Sequence, residues 1–206
     1  MTYPSPNHPP FEITQLGRIE QEGRETRRVV LGTHTGTHFD APRHFISGGA
    51  GIDSLPLEIL VGPATVVPLI PAPELWVVSP EELARAIPGG KPRERVLLRF
   101  DWSTRFGDPT FYSKAPALSL EACQWLLDEG VKLIGMDVPS PDAPRFDTTS
   151  PDSPCHKLLL GQGVILVEYL RGLDRLQRSE VFLAALPLPF EGADGAPGRV
   201  VAWYDE

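Results

Sequence analysis

The segment HTGTHFDAPRH spans residues 34–44 and carries three of the five histidines in the chain. A His-x-x-x-His spacing can place two imidazoles on one face of a helix. Here the intervening residues are Thr, Gly and Thr, which disfavour a helix, and Pro42 disfavours helical backbone at the residue before it. We therefore predict that the segment forms a turn that leaves a strand around residues 29–31.

The spacing of the polar residues within this turn predicts a metal site. In an extended chain His38 and Asp40 point to the same side, and Gly36 allows a bend sharp enough to bring His34 back towards them. Two imidazoles and one carboxylate suit a divalent cation and leave open positions at which water can be activated. The alternative is a loop whose histidines are only polar surface, but three histidines and an aspartate within eleven positions favour the metal hypothesis.

A second candidate group lies far along the chain. His156 is the only other histidine outside the first twelve residues, and Glu168 interrupts the apolar strand predicted at residues 164–170. A carboxylate buried in such a strand is costly unless it is paired or bound to a metal. A surface-facing Glu on an edge strand is the alternative, and the histidine twelve residues upstream favours a ligand.

Strands outnumber helices in the predicted secondary structure. Two helices are marked by Ser79 and Ser119 as N-caps, at residues 79–87 and 119–129, and Glu82 completes a capping box with Ser79. These elements predict an α/β or α+β fold that is strand-rich, with two or three helices. The predicted strands cover residues 26–33, 61–69, 95–100, 131–138, 164–169, 181–186 and 199–203.

Composition excludes several classes of protein. The 206 residues predict one domain, 1–206, with a proline-rich extended arm at residues 1–12. A net charge of −8 disfavours nucleic acid as a partner. The longest apolar stretches are near ten residues, about half of what a membrane span needs. We find no secretory signal, and two cysteines form no disulfide framework, so a cytoplasmic location is expected.

The chain resembles the cyclase-family metal-dependent hydrolases. The family motif His-x-Gly-Thr-His-x-Asp-x-Pro-x-His matches residues 34–44 at every fixed position. Residues 135–142, GMDVPSPD, are similar to a second stretch of the family, and residues 185–198 to its C-terminal segment. His156 and Glu168 look like the family's distal ligand pair. The resemblance therefore extends over nearly the whole chain.

The resemblance implies a β/β/α swivelling-domain (cyclase-like) architecture, a homodimer or homotetramer, and one or two divalent metal ions per chain. Zinc is the first expectation and manganese the second. His44 matches the catalytic acid/base of the family, although the residues alone leave open that it is a further ligand. The implied ligands are His34, His38 and Asp40 for one ion and Asp40, His156 and Glu168 for the other.

The implied reaction is hydrolysis of a small aryl formamide such as N-formylkynurenine to kynurenine and formate. An isatin-hydrolase-like activity on another cyclic amide or small molecule is the alternative. Kynurenine formamidases have a Trp near the N-terminus that contacts the aryl substrate, and the nearest match here is Tyr3, which keeps an aromatic ring. The aromatic segment at residues 106–113 either lines a pocket or packs at a subunit interface.

Three other hypotheses compete with a metal-dependent hydrolase. Cys155 beside His156 suggests a thiol nucleophile, but neighbouring residues in extended chain point to opposite sides. A non-catalytic protein that binds a metal or a small molecule is the second. A structural subunit whose metal only stabilises the fold is the third, and it predicts that chelation unfolds the chain.

Overall fold

The computed structural model describes residues 8–144 and 152–204. The strands are β1 (Glu12–Gly17), β2 (Thr26–Val30), β3 (His38–Asp40), β4 (Val61–Pro68), β5 (Val77–Val78), β6 (Arg95–Arg99), β7 (Ala117–Leu118), β8 (Leu133–Met136), β9 (Ile165–Glu168), β10 (Glu180–Pro187) and β11 (Gly195–Trp203). The helices are α1 (Ile19–Glu22), α2 (Leu57–Leu60), α3 (Pro80–Ala86), α4 (Thr110–Ser113), α5 (Leu120–Asp128) and α6 (Pro154–Gly161).

Seven strands form a sheet that closes on itself. Their order is β10, β11, β3, β9, β8, β6 and β4, and β4 pairs back to β10. The four strands β4, β6, β8 and β9 run parallel, whereas β3, β10 and β11 join them through antiparallel pairs. The hairpin of β1 and β2 and the short pair of β5 and β7 are separate sheets.

The parallel strands are apolar at nearly every position because both of their faces are covered. Leu97 in β6 packs inside the closed sheet, together with Phe39 from β3 and Leu183 from β10. Its neighbours Val96 and Leu98 point the other way and belong to a second cluster, which includes residues of α3, α5 and α6. The sheet therefore has one core in its interior and another beneath the three longer helices.

The predicted strand-rich α/β fold is confirmed. All seven predicted strands are present, although the first ends at Val30 rather than at residue 33. The capping box at the start of α3 is also present: Ser79 accepts a hydrogen bond from the Glu82 amide, and Glu82 accepts one from the Ser79 amide. The described residues contain six α-helices, and three of these are single turns of four residues.

The extended backbone assumed for Cys155 and His156 is wrong, because both lie in the first turn of α6. Pro154 at the first position of this helix is the sequence signal that marks its start. In the part of the chain that the structure describes, no helix has the length and hydropathy needed to cross a membrane.

Candidate metal centre

Three of the predicted ligands lie on two neighbouring strands of the closed sheet. In the antiparallel pair of β3 and β9, His38 lies directly opposite Glu168. Phe39 packs in the interior of the sheet, so His38 and Asp40 on either side of it face the helices. The Nε2 atom of His38 is 3.3 Å from Asp40 Oδ1 and 3.4 Å from Glu168 Oε2.

The turn before β3 brings His34 to the same place. Gly36 has φ of 66°, a left-handed conformation that favours glycine, and this bend confirms the predicted return of the chain. The Nδ1 atom of His34 then lies 2.8 Å from Asp40 Oδ1. Gly195, on the adjacent strand β11, leaves space for the ring, since a Cβ there would lie 3.0 Å from His34 Cε1.

His156 extends from α6 towards Asp40 and Glu168. Its Nε2 is 3.1 Å from Glu168 Oε1 and 3.4 Å from Asp40 Oδ2. Glu168 is buried, with 4% of its surface exposed, and its strand lies between β3 and β8. The edge-strand alternative for Glu168 is therefore wrong, and the structure brings all five predicted ligands together.

These residues fit a divalent cation. His34, His38 and Asp40 can converge on one ion, and Asp40, His156 and Glu168 on a second, with the ligand atoms of each set within 4.8 Å of one another. The buried Oδ2 atom of Asp40 has no hydrogen-bond partner among residues 8–144 and 152–204. A buried carboxylate oxygen without a donor costs free energy, and a cation bound to Asp40 would remove that cost.

Hydrogen bonds outside the group orient two of the imidazoles. His38 Nδ1 lies 2.9 Å from the carbonyl oxygen of Gly36, and His156 Nδ1 lies 2.6 Å from Asp142 Oδ2. Because both partners are acceptors, each Nδ1 carries a proton, and Nε2 is the atom that can bind a metal once it gives up its own proton. Asp142 also accepts hydrogen bonds from the amides of Cys155 and His156 and so caps α6.

The pKa shifts of the candidate ligands indicate that positive charge stabilises the buried carboxylates of Asp40 and Glu168. Burial raises the pKa of Glu168, and the nearby Asp40 carboxylate raises it further. Burial alone would raise the pKa of Asp40 too, but hydrogen bonds with the surrounding histidines hold it well below its usual range. Burial lowers the pKa of His34, yet hydrogen bonds to Asp194 and Asp40 outweigh this and raise it to about 10. In the metal-free protein, protons on the histidines supply the charge that a cation would replace.

The predicted catalytic residue, His44, lies beside the group rather than in its centre. It ends a 3-10 turn, Pro42–His44, and one quarter of its side chain is exposed. Its ring centroid is 4.0 Å from that of His34, and its Nδ1 is 3.1 Å from Asp194 Oδ2. His34, His44 and Asp194 form a third set that could hold a cation, so the geometry keeps both predicted roles of His44 open.

Sequence reasoning missed three residues of the site. Asp142 and Asp194 both lie in stretches that resemble the family, and each could have been suspected as an acceptor for an imidazole. His8 lies in the predicted N-terminal arm, away from the motif in sequence, but its ring centroid is 5.8 Å from that of His34. All five histidines of the chain therefore lie in one connected cluster.

The remaining candidates from the sequence are Tyr3, Cys155 and the aromatic segment at residues 106–113. Tyr3 lies outside the described residues. Cys155 is buried, and a hydrogen bond with Cys123 together with burial raises the pKa of its thiol, so it is unsuited to act as a nucleophile. In the aromatic segment, Phe111 is a core residue whose ring packs 5.8 Å from Tyr169, and Tyr169 packs 5.5 Å from His38.

Removing the Asp142 carboxylate should weaken metal binding. In Asp142→Ala the ring of His156 loses its acceptor, and we expect metal affinity to fall by about 10- to 100-fold. The loss of the helix cap should also cost about 1 kcal/mol of stability. Asp142→Asn is the matched variant, because its single oxygen can still accept from the Cys155 amide while its N–H groups face His156. It should lose metal affinity as Asp142→Ala does, with a smaller loss of stability. Competition with a chelator measures the affinity, and equal affinities in wild type and Asp142→Ala would contradict this role.

Metal affinity should rise with pH. The raised pKa of His34 means that this ring is protonated near neutral pH in the metal-free protein, so metal uptake must release its proton. Below that pKa we expect affinity to increase about tenfold per pH unit for each proton released. Chelator competition between about pH 6 and pH 8 measures the slope. An affinity that stays constant over this interval would show that no proton is displaced.

Most of the chain matches the model of a known protein family. Residues 1–143, which include the segment HTGTHFDAPRH, match the model of the Cyclase family. The chain therefore belongs to the Cyclase family.

Relatives of this chain include kynurenine formamidases and isatin hydrolases. A kynurenine formamidase from Geobacillus thermodenitrificans is 34% identical over 195 residues, which cover 94% of this chain and 88% of the relative. One from Salinibacter ruber is 38% identical over 172 residues, 83% of this chain and 76% of the relative. Isatin hydrolase A from Ralstonia solanacearum superposes with a TM-score of 0.85 at 31% identity, covering 98% of this chain and 86% of that one.

Proposed function

We propose that this protein is a metal-dependent amidohydrolase that cleaves a small aryl formamide such as N-formylkynurenine to the free amine and formate. The observation that carries the proposal is the position of Asp40, shared by two sets of potential metal ligands. The kynurenine formamidases that match most of the chain support the choice of substrate. Zinc or manganese, a homodimer or homotetramer, and a cytoplasmic location remain part of this proposal.

The candidate ligands are His34, His38, Asp40, His156 and Glu168. A divalent metal bound there supplies a Lewis acid that polarises the substrate carbonyl and lowers the pKa of water towards about 7. His38 and His156 offer Nε2 lone pairs because Gly36 and Asp142 hold the protons on Nδ1. Buried Asp40 and Glu168 supply negative charge where water has been excluded.

His44 is the residue that moves a proton. It lies next to His34 but remains partly exposed, so a substrate can reach it. Histidine is the side chain that most often acts as a general acid and base in enzymes, which suits an imidazole at this position. In formamide hydrolysis, water adds to the formyl carbon and its proton passes to His44. The C–N bond then breaks, His44 returns that proton to the departing nitrogen, and formic acid leaves and ionises to formate.

Aromatic side chains beside the group suit an aryl substrate. The ring of Phe45 packs 4.5 Å from His44 and 5.0 Å from His156, and Tyr169 packs against His38. Such rings favour stacked or edge-to-face contact with another ring. The isatin hydrolase neighbours favour a second candidate, opening of the cyclic amide of isatin, which needs the same attack by water on an aryl amide.

A direct comparison of substrates tests the proposal. The metal-loaded protein is assayed with N-formylkynurenine and with isatin, and kcat/KM is determined for each. We expect the formamide to be hydrolysed with the larger kcat/KM. A larger value for isatin would assign the second candidate, and no turnover of either by protein that holds its metal would contradict both.

A further inference from the structure

The structure contains a carboxylate that the mechanism above does not use. Asp194 precedes β11, and its Oδ2 lies 3.1 Å from His44 Nδ1 and 2.8 Å from His34 Nε2. We propose that Asp194 is a positioning residue that holds His44 with its proton on Nδ1, so that Nε2 is the atom that exchanges a proton with the substrate. The inference rests on the proposed function, because it takes His44 as the proton-transferring residue.

One buried residue fixes the backbones of both partners. The amide of Ala41 donates to the carbonyl oxygen of Asp194 over 2.9 Å. The carbonyl oxygen of Ala41 accepts from the amide of His44, also over 2.9 Å. Ala41 is fully buried. The main chain therefore fixes the separation of the backbones from which the carboxylate and the imidazole extend.

Hydrogen bonds before Asp194 and close packing after it fix the turn that contains this residue. The amide of Gly192 donates to Asp53 Oδ1, and Arg43 Nη1 donates to the carbonyl oxygen of Gly192. After the turn, Gly195 packs so closely on β3 that a Cβ would lie 2.5 Å from the carbonyl oxygen of Phe39. These contacts fix the backbone position from which the Asp194 side chain reaches His34 and His44.

Packing confines the imidazole of His44 as well. Its ring lies 4.0 Å from His34 at a tilt of 35° and meets Phe45 edge-on at 4.5 Å. Between these neighbours the main remaining freedom is a flip of the ring, which would place Cδ2 instead of Nδ1 beside Asp194. That flip loses a charge-assisted hydrogen bond, so Asp194 selects both the orientation and the tautomer.

Asp194→Asn tests this role while keeping the shape of the side chain. An Asn amide can turn its N–H towards the ring and so favour the other tautomer. At saturating metal we expect kcat to fall by about 10- to 100-fold, with KM changed less than about twofold. Metal affinity should also weaken, because the same carboxylate contacts the ligand His34 over 2.8 Å. Glu191→Gln is the matched control, because it removes an exposed acid from the same turn, and it should retain wild-type kcat.

A double-mutant cycle with His44→Ala shows whether Asp194 acts through His44. If it does, Asp194→Asn should reduce activity by less than about threefold in a chain that already carries His44→Ala. Losses that multiply at saturating metal would overturn the inference, because Asp194 would then act independently of His44.

A spectroscopic measurement separates this inference from the proposed function. Long-range ¹H–¹⁵N spectra of the zinc-loaded protein should show His44 protonated at Nδ1 in wild type and a changed tautomer in Asp194→Asn. The same tautomer in both proteins would overturn the inference. If His44→Ala keeps full activity, the proposed role of His44 fails, and the spectra still decide whether Asp194 orients the ring.

Discussion

Asp40→Ala should abolish activity and remove the metal. Asp40 is the only residue common to the two sets of potential ligands proposed for the two ions, so its loss affects both. A metal Lewis acid supplies several kcal/mol of transition-state stabilisation, and about 4 kcal/mol corresponds to a rate loss of about 10³-fold. We therefore expect kcat/KM to fall by at least this factor, together with bound metal measured by atomic emission after gel filtration.

Two further variants show whether this effect is specific. Asp40→Asn keeps the shape of the side chain but removes its charge, and it should lose metal as Asp40→Ala does. Asp174→Asn removes an exposed acid and should behave as wild type. An Asp40 variant that retains both metal and turnover would contradict the placement of the metal at this group.

His44→Ala should separate catalysis from metal binding. General acid–base catalysis contributes about 10²- to 10⁴-fold, so we expect a loss of this size in kcat. Metal content should stay at the wild-type value, because His44 belongs to neither of the two sets centred on Asp40. Steady-state kinetics and metal analysis on the same sample provide the measurement, and loss of metal would assign His44 as a ligand instead of a proton donor.

The sequence predicts which side chains come together at the candidate site, because most of them lie in one short segment. His34, His38 and Asp40 lie within seven residues, and Gly36 and the alternation along an extended chain are enough to place them together. Glu168 could be inferred because a charged residue in an apolar strand needs a partner. The parallel strands were predictable for a related reason, since burial on both faces leaves continuous apolar segments.

Long-range contacts explain what the sequence did not show. The carboxylate of Asp194 meets His34 across 160 positions, and no local pattern specifies such a contact. The sheet closes because β10 pairs with both β11 and β4. Strand propensity does not determine which strands pair, so the sequence does not predict this closure. Residues 158–160 of α6 are three consecutive leucines. Such a short apolar segment has no clear helical period, so the sequence pattern does not predict this helix.

The proposal that this is a metal-dependent hydrolase is tested most directly by adding metal back to chelated protein. Hydrolysis of N-formylkynurenine and circular dichroism are followed as zinc or manganese is added to the metal-free chain. We predict negligible turnover without metal and a turnover that rises and saturates at one or two metal equivalents per chain. The circular dichroism spectrum should be that of a folded protein at every step of the titration. Full turnover by the metal-free protein would contradict the central claim, and so would metal that restores folding without restoring turnover.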